Sequence, residues 1–223
     1  MRGGAAYDEI ADWYANEFLG AQAASGDPLE IKSTLRRLLG PGDGRCLEIG
    51  CGTGVYAAPV SALGRTPFGV DLSAGMLRYA AGRLPIARAD AGRLPFRDGS
   101  FPAVVAVMVH TDMPDYPTVL GEVARVLAPG GVLVHIGVHP CFCGGFADRA
   151  DPEGVVIRPG YLDRGWTTES WTDQGIRDKV GANHGPLPEL LHGFLDAGLV
   201  PDRFAEGGAP TPTMLAVRAH KPG

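Results

Sequence analysis

Residues 45–54 read RCLEIGCGTG, and this stretch decides the predicted fold. A short strand comes first, glycines then follow at alternate positions, and helical spacing begins at Val55. Glycine lets the backbone turn sharply and lets a ligand approach it closely, while a helix that follows offers free N–H groups. The stretch therefore predicts a ligand-binding strand–turn–helix unit, with a plain tight turn as the alternative. Its GxGxG spacing differs from GxGxxG, and it lacks the Gly-Lys-Ser/Thr of a nucleotide P-loop.

The composition predicts an ordinary globular protein. Of the 223 residues, 45% are hydrophobic and 20% are charged, which suits a single domain with a substantial core. The net charge of −5 argues against nucleic acid as a partner, because phosphate binding needs a basic face. The N-terminus has no apolar signal region and no uninterrupted apolar run reaches roughly 18 residues, so we expect a cytoplasmic protein without a membrane partner.

Strand-like and helix-like segments alternate after residue 40. The stretch FPAVVAVMV at 101–109 is almost wholly apolar, as expected of a strand that is covered on both faces. Five strands joined by helices imply right-handed crossovers and a mostly parallel sheet, which a C-terminal hairpin completes. The predicted strands are 45–49, 66–70, 85–89, 101–109, 132–138, 199–204 and 213–219, and the predicted helices are 5–19, 28–39, 55–63, 74–81, 114–127 and 186–197.

Two acidic residues follow the second and third predicted strands. Asp71 lies 17 residues beyond Gly54, where a carboxylate can accept hydrogen bonds from both hydroxyls of a ribose. Asp90 can accept a hydrogen bond from the exocyclic amine of an adenine, and Met76 can pack on the face of the ring. The alternatives are helix capping or turn formation for the two aspartates and ordinary core packing for Met76.

Four motifs together point to a known family. The stretches LEIGCGTG, GVDLSAGML, ADAGRLPF and EVARVLAPGGVLV resemble, in order and spacing, those of class I S-adenosylmethionine-dependent methyltransferases over about residues 40–138. The resemblance implies a Rossmann-like, doubly wound α/β fold with a seven-stranded, mostly parallel sheet of order 3-2-1-4-5-7-6. Strand 7 would be antiparallel, helices would precede the sheet, and an insertion would follow strand 5.

The resemblance also implies a binding site for S-adenosylmethionine. Glu48 and the glycine loop would hold the methionine portion, Asp71 the ribose, and Asp90 the adenine edge. The N-terminal pattern Tyr-Asp-x-x-Ala-x-x-Tyr matches a helix that closes over the cofactor in many small-molecule methyltransferases, although simple packing would also explain it. The implied cofactor residues are Tyr7, Tyr14, Glu48, Gly50, Cys51, Gly52, Thr53, Gly54, Asp71, Leu72, Met76, Asp90, Ala91, Val109 and His110.

On this basis the chain divides into four parts within one domain, 1–223. We expect a helical cap (1–40), a cofactor-binding core (41–138), a substrate-side insertion (139–184) and a closing helix with a strand hairpin (185–223). The insertion is rich in Gly, Pro and charge with little periodicity, and a loop of this length is usually functional. Its aromatic residues could sandwich a flat acceptor or form a small core of their own; they are Phe142, Phe146, Tyr161, Trp166 and Trp171.

Three histidines are candidates for the catalytic base. Methyl transfer from a sulfonium is an in-line displacement, and a hydroxyl acceptor must also lose a proton. His110 and His139 follow predicted strands at the ends where open α/β sheets bind ligands, and His184 precedes the last helix. The segment HPCFC at 139–143 lacks a fourth ligand, so we expect no metal site.

The sequence thus predicts a methyltransferase of secondary metabolism that acts on a small molecule, with S-adenosylmethionine as its cofactor. The expected acceptor is a hydroxyl of an aromatic or polyketide-like metabolite, and a homodimer is compatible with the sequence. One alternative keeps the cofactor but catalyses a cyclisation or rearrangement. Another is an RNA or protein methyltransferase, which the acidic charge disfavours.

Overall fold

The computed structural model describes residues 5–24, 26–169 and 175–223. Its centre is a seven-stranded sheet of order β3-β2-β1-β4-β5-β7-β6, in which β7 runs antiparallel to the other six strands. This confirms the predicted fold, including the strand order. The strands are β1 (Arg45–Ile49), β2 (Thr66–Asp71), β3 (Ile86–Arg88), β4 (Phe101–Val107), β5 (Leu127–Val138), β6 (Val200–Gly207) and β7 (Met214–His220).

Helices cover both faces of the sheet. Alternate residues of the central strands point to opposite faces, so the apolar run of β4 is buried on both sides. The helices are α1 (Ile31–Leu39), α2 (Ala57–Ser61), α3 (Ala74–Ala80), α4 (Tyr116–Val126), α5 (Ile176–Val180) and α6 (Leu187–Asp196). One core joins Leu47 and Val104 to Leu120 and Phe194 of α4 and α6, whereas the other packs residues such as Leu35 of α1 against the opposite face.

Local signals set where the helices begin. Ser73 caps α3 as its position predicts, because its hydroxyl accepts a hydrogen bond from Met76 N at 3.0 Å. The prediction that a helix starts at Pro28 is wrong, since Glu30 has a φ of 55° and α1 begins only at Ile31. Asp27 stabilises its first turn by accepting hydrogen bonds from the backbone N–H groups of Lys32 and Ser33.

Two segments flank the sheet where its strands end. The N-terminal segment contains a short 3-10 turn (Ala6–Asp8) and a helix made of Ala11–Trp13, a π-helical turn (Tyr14–Phe18) and Leu19–Ala24. The insertion, predicted as irregular, instead pairs short strands, and Trp171 lies outside its described residues. Two antiparallel pairs form, one between Ala147–Asp148 and Val156–Ile157 and the other between Gly165–Thr167 and Ala182–His184. Within the described ranges, no helix has the length and apolar character needed to cross a membrane.

Candidate active site

The glycine loop after β1 depends on left-handed backbone conformations. Gly50, Gly52 and Gly54 have φ values of 60°, 52° and 74°, a region that side chains disfavour. A Cβ on Gly50 would also lie 2.7 Å from Val109 Cγ1, so the loop packs directly against the residue that follows β4. The alternate glycines are therefore required by both conformation and space.

Asp71 holds this loop in place. Its carboxylate accepts one hydrogen bond from Gly52 N and another from Ser73 N, each at 2.8 Å. Burial raises the pKa of Asp71, and the backbone hydrogen bonds oppose that shift. A carboxylate has about four lone-pair sites, so two bonds leave capacity for hydroxyls of a ligand. The turn-forming role is thus present, and ribose binding stays a prediction.

Glu48 is a buried carboxyl whose hydrogen bonding is incomplete. Its side chain lies near the end of β1 and is only 2% exposed, and Oε2 has no hydrogen-bond partner among the described residues. Burial, with a smaller contribution from the charge of Asp71, raises the pKa of Glu48 to about 8. A buried oxygen without a donor is costly, which makes this position suited to the ammonium group of a ligand.

The predicted adenine side combines one exposed apolar residue with buried ones. Leu72 is 50% exposed, whereas Met76 and Ala91 are buried. Asp90 is exposed, and its carboxylate accepts a hydrogen bond from Gly92 N at 2.8 Å in a local turn. These positions are compatible with an adenine ring between Leu72 and the glycine loop. They are also compatible with turn formation by Asp90 and core packing by Met76, the alternatives that the sequence left open.

The N-terminal segment is fastened on both sides of the glycine loop. Asp8 accepts hydrogen bonds from Ser73 Oγ at 2.6 Å and from Gly75 N at 2.8 Å. On the other side, Tyr7 donates its hydroxyl to Asp112 at 3.1 Å, and Tyr14 packs edge-on against the Tyr7 ring. Both tyrosines of the N-terminal pattern therefore lie beside the strand ends.

Arg177 of α5 is a site residue that sequence reasoning missed. It is 5% exposed, forms an ion pair with Asp112, and donates hydrogen bonds to Thr111 Oγ1 and Gly181 O, each at 3.1 Å. Asp112 therefore pairs with both Arg177 and Tyr7. No motif surrounds Arg177, so the sequence carries no signal for this contact.

A small cavity of about 20 Å³, enough for roughly one water-sized group, lies beside these groups at the ends of β4 and β5. It contains two of the three candidate histidines, one after β4 and one from the insertion. Because Val109 contacts the glycine loop and His110 lines the cavity, the loop and the cavity are neighbours. The lining residues are His110, Thr111, Val138, Pro140, Cys143, Gly144, Asn183, His184 and Gly185.

The surroundings of His184 determine which of its ring nitrogens carries the proton. Its Nε2 lies 2.8 Å from the carbonyl oxygen of Tyr161, which can only accept, so Nε2 carries the proton and Nδ1 the lone pair. Phe146 and Tyr161 pack beside the imidazole, with ring centroids 4.8 and 5.9 Å away. Part of the predicted aromatic cluster thus supports a cavity histidine.

His139 lies elsewhere. It is buried but absent from the cavity lining; its Nδ1 accepts a hydrogen bond from Cys141 N at 3.1 Å, and its Nε2 lies 2.9 Å from a Glu206 carboxylate oxygen. Both ring nitrogens are therefore engaged. The structure brings His110 and His184 together and leaves His139 to join β5 to β6.

Comparison with known proteins agrees with this geometry. A methyltransferase-domain family model matches residues 47–135. The demethylmenaquinone methyltransferase of Oceanobacillus iheyensis is 30% identical over 186 residues, which cover 75% of this chain and 74% of that protein. The chain belongs to the S-adenosylmethionine-dependent methyltransferases.

Further matches differ in how much of each chain they cover. The demethylmenaquinone methyltransferase of Corynebacterium urealyticum is 40% identical over 109 residues, so the match spans 48% of this methyltransferase and only 47% of that relative. An S-adenosylmethionine-dependent methyltransferase from Mesorhizobium loti has the same fold, with a TM-score of 0.71, 23% identity and coverage of 85% and 96%. The [4+2]-cyclase SpnF also shares the fold, with a TM-score of 0.66, 17% identity and 97% of each chain covered.

The residues of this methyltransferase fit S-adenosylmethionine, the cofactor of its family. The glycine loop provides a cradle without side chains at positions 50, 52 and 54, and the orphaned Oε2 of Glu48 can accept a hydrogen bond from an ammonium group. Asp71 keeps lone pairs for hydroxyls, and exposed Leu72 offers an apolar surface for a ring.

Proposed function

We propose that this protein methylates a small-molecule acceptor whose hydroxyl enters the cavity, with His184 as the general base. The supporting observation is that His184 lines the cavity while Tyr161 holds its proton on Nε2. The remaining nitrogen, Nδ1, is then the one that can take a proton. The cavity has room for the reacting group alone, so the rest of an aromatic or polyketide-like acceptor would lie outside it, beside the aromatic side chains of the insertion such as Phe146 and Tyr161.

The cofactor assignments of the sequence form part of this proposal. Bound S-adenosylmethionine supplies a methyl group on a positively charged sulfur. Glu48 and the loop 50–54 hold its methionine portion, Asp71 its ribose, and Leu72 and Asp90 its adenine. Tyr7 and Tyr14 hold the N-terminal segment against the same strand ends and exclude water from them.

The insertion, residues 139–184, forms the acceptor side in this proposal. It contributes His184 and Asn183 to the cavity, and its Arg177 holds Asp112 and Thr111 beside it. The core (41–138) then binds the cofactor, residues 1–40 cover it, and residues 185–223 complete the sheet. Acceptor and cofactor meet at the end of β4, where Val109 contacts the loop and His110 lines the cavity.

A quinone-type acceptor is a second candidate. It rests on the 30% identity over 186 residues to a protein named demethylmenaquinone methyltransferase. If demethylmenaquinone were the acceptor here too, its reacting ring would lie at the mouth of the same cavity. The panel of acceptors in the following experiment therefore includes it.

The test is transfer of an isotopically labelled methyl group from S-adenosylmethionine to small molecules. The purified protein is incubated with a bacterial metabolite extract, with a panel of phenolic compounds and with demethylmenaquinone, and the products are analysed by mass spectrometry. His184→Ala should lower the rate about 100-fold or more, whereas His192→Ala, an exposed histidine on α6, should leave it unchanged.

Other outcomes of this experiment contradict the proposal in distinct ways. A product that is rearranged without label would support the cyclisation alternative, in which the cofactor is retained. Label found only in RNA or protein would assign a macromolecular substrate. An unchanged rate in His184→Ala would remove that histidine as the base but leave the methyltransferase activity standing.

A further inference from the structure

Two histidines face each other across Gly137, inside β5. A Cβ on Gly137 would collide with Nδ1 of His110 and lie 2.9 Å from Nε2 of His135, and the two imidazole centroids are 5.0 Å apart. Both nitrogens are buried, and neither has a hydrogen-bond partner within the described part of the chain. Because Gly137 has no side chain, Nδ1 of His110 and Nε2 of His135 can face each other across this space.

Tyr116 decides which nitrogen of His135 carries the proton. Its buried hydroxyl lies 2.8 Å from Nδ1 of His135 and forms no other hydrogen bond within residues 5–24, 26–169 and 175–223. If the hydroxyl donates, its proton is satisfied, whereas the reverse direction leaves a buried O–H without an acceptor. Tyr116 therefore donates, and His135 carries its own proton on Nε2, the nitrogen that faces the space at Gly137.

We propose that Tyr116 and His135 are positioning residues that fix the tautomer of His110, so that His110 presents an N–H group to the cavity. Two N–H groups cannot point at each other across the Gly137 space, so Nδ1 of His110 carries the lone pair and Nε2 the proton. The edge formed by Nδ1 and Cε1 packs on Gly137, which leaves the Nε2 edge for the cavity.

The electrostatic surroundings keep His110 neutral, as this arrangement requires. Burial lowers the pKa of His110 well below 6.5, and positive charge on His135, Arg177 or His184 would lower it further. The ring of Tyr116, at a centroid distance of 5.9 Å, is uncharged. A neutral imidazole has one donor and one acceptor nitrogen, so fixing one fixes the other.

The two cavity histidines then offer opposite hydrogen-bonding groups, an acceptor and a donor. This inference rests on the proposed function and specifies which class of acceptor the site would bind. His184 offers a lone pair on Nδ1, while His110 offers a proton on Nε2. The complementary acceptor carries a hydroxyl for His184 and, beside it, a second oxygen that accepts from His110. Vicinal aromatic diols and hydroxy-carbonyl compounds have this pattern.

Nitrogen NMR of the protein labelled with ¹⁵N-histidine tests the tautomer without any need for activity. The signal of His110 is assigned by its loss in His110→Gln. In the wild-type protein we expect the proton of His110 on Nε2. In Tyr116→Phe, which keeps the ring and removes the hydroxyl, we expect His110 to become a mixture of both tautomers, whereas Tyr79→Phe on α3 should match the wild type.

A wild-type His110 protonated on Nδ1 would overturn the proposal, as would a Tyr116→Phe spectrum identical to that of the wild type. Neither result depends on whether an acceptor has been found, so this failure is distinguishable from failure of the methyltransferase assignment. Thermal unfolding confirms that Tyr116→Phe is folded, and the wild-type arm is decisive by itself.

Catechol and phenol probe the predicted acceptor class. Each is titrated into the complex with S-adenosylhomocysteine, and the shift of the His110 Nε2 signal is followed. Because one additional hydrogen bond is expected, catechol should bind about fivefold more tightly than phenol. Equal affinities, or no shift with either compound, would contradict the two-oxygen acceptor.

Discussion

Asp71 and Asp112 are both acidic residues near strand ends, but their partners come from very different distances along the chain. Asp71 accepts backbone hydrogen bonds from residues 19 and 2 positions away. Asp112 instead binds Arg177 and Tyr7, which are 65 and 105 positions away. The carboxylate on the cofactor side therefore stabilises the backbone of nearby turns, whereas the carboxylate on the acceptor side joins side chains from distant segments of the chain.

This difference has a consequence for stability. A local turn costs little to close, so removing one of its side chains mainly changes what the turn can bind. A buried ion pair between distant segments holds those segments together, and removal of one partner leaves the other charge buried. Variants on the two sides should accordingly lose different properties, binding on one side and folding on the other.

The largest effect is expected from Arg177→Met. The substitution leaves the carboxylate of Asp112 buried without its cation, so the free energy of unfolding should fall by about 3–5 kcal/mol. Urea unfolding followed by circular dichroism measures the change. Arg164→Met removes a partner from the exposed pair with Glu189 and should change stability little.

Asp71→Ala should have the next largest effect, on binding rather than folding. Loss of the carboxylate frees Gly52 N and Ser73 N and removes the predicted ribose contact, so the affinity for S-adenosylhomocysteine should fall about 100-fold, or roughly 3 kcal/mol. Calorimetry measures this against Asp43→Ala, an exposed carboxylate before β1. An unchanged affinity would remove the ribose assignment.

The same contrast explains what could be predicted from sequence. The alternation of strands and helices and the cap at Ser73 follow from apolar periodicity and turn residues in neighbouring positions, whereas the strand order was implied by the resemblance of four motifs to a known family. The start of α1 was misplaced because a left-handed Glu30 interrupts a pattern in which Pro28 is a favourable first residue. The identity of residue 30, a glutamate, gives no indication of this left-handed backbone conformation.

The acceptor side was only partly predictable for the same reason. His110 and His184 are predicted from their positions after a strand and before a helix, but their shared cavity depends on a short antiparallel pair in which only three residues of each strand pair. Arg177 was missed because its partner, Asp112, lies 65 positions away. His139 occupies a strand end as predicted, yet a contact with Glu206 of β6 engages its ring.

Glu48→Gln sharpens the comparison by giving opposite effects on stability and binding. The fold raises the pKa of Glu48 from its ordinary value of 4.5 to about 8, so the ligand-free protein prefers the protonated form. Stability from this group is complete below pH 4.5 and is lost as the pH rises through 8. At pH 8, therefore, the free energy of unfolding should be higher for Glu48→Gln than for the wild type, by on the order of 1–3 kcal/mol.

Binding of S-adenosylhomocysteine should change in the opposite direction. An ammonium group favours the ionised carboxylate, so wild-type affinity should increase as the pH rises toward 8, and Glu48→Gln should be weaker and lack this dependence. Chemical unfolding and calorimetry from pH 6 to 9 measure both quantities. A variant that is destabilised at pH 8 would contradict an unsatisfied, buried Glu48.

Tyr7→Phe should have the smallest effect, because it removes one hydrogen bond between the two sides. The hydroxyl donates to Asp112, and its loss should weaken attachment of the N-terminal segment by about 1 kcal/mol, or roughly fivefold in affinity for S-adenosylhomocysteine. Hydrogen exchange of residues 5–18 should increase. The matched control, Tyr79→Phe, loses an exposed hydrogen bond to Asp12 of the same segment. If Tyr79→Phe weakened binding and Tyr7→Phe did not, the segment would be held from the cofactor side alone, and the link to Asp112 would be incidental packing.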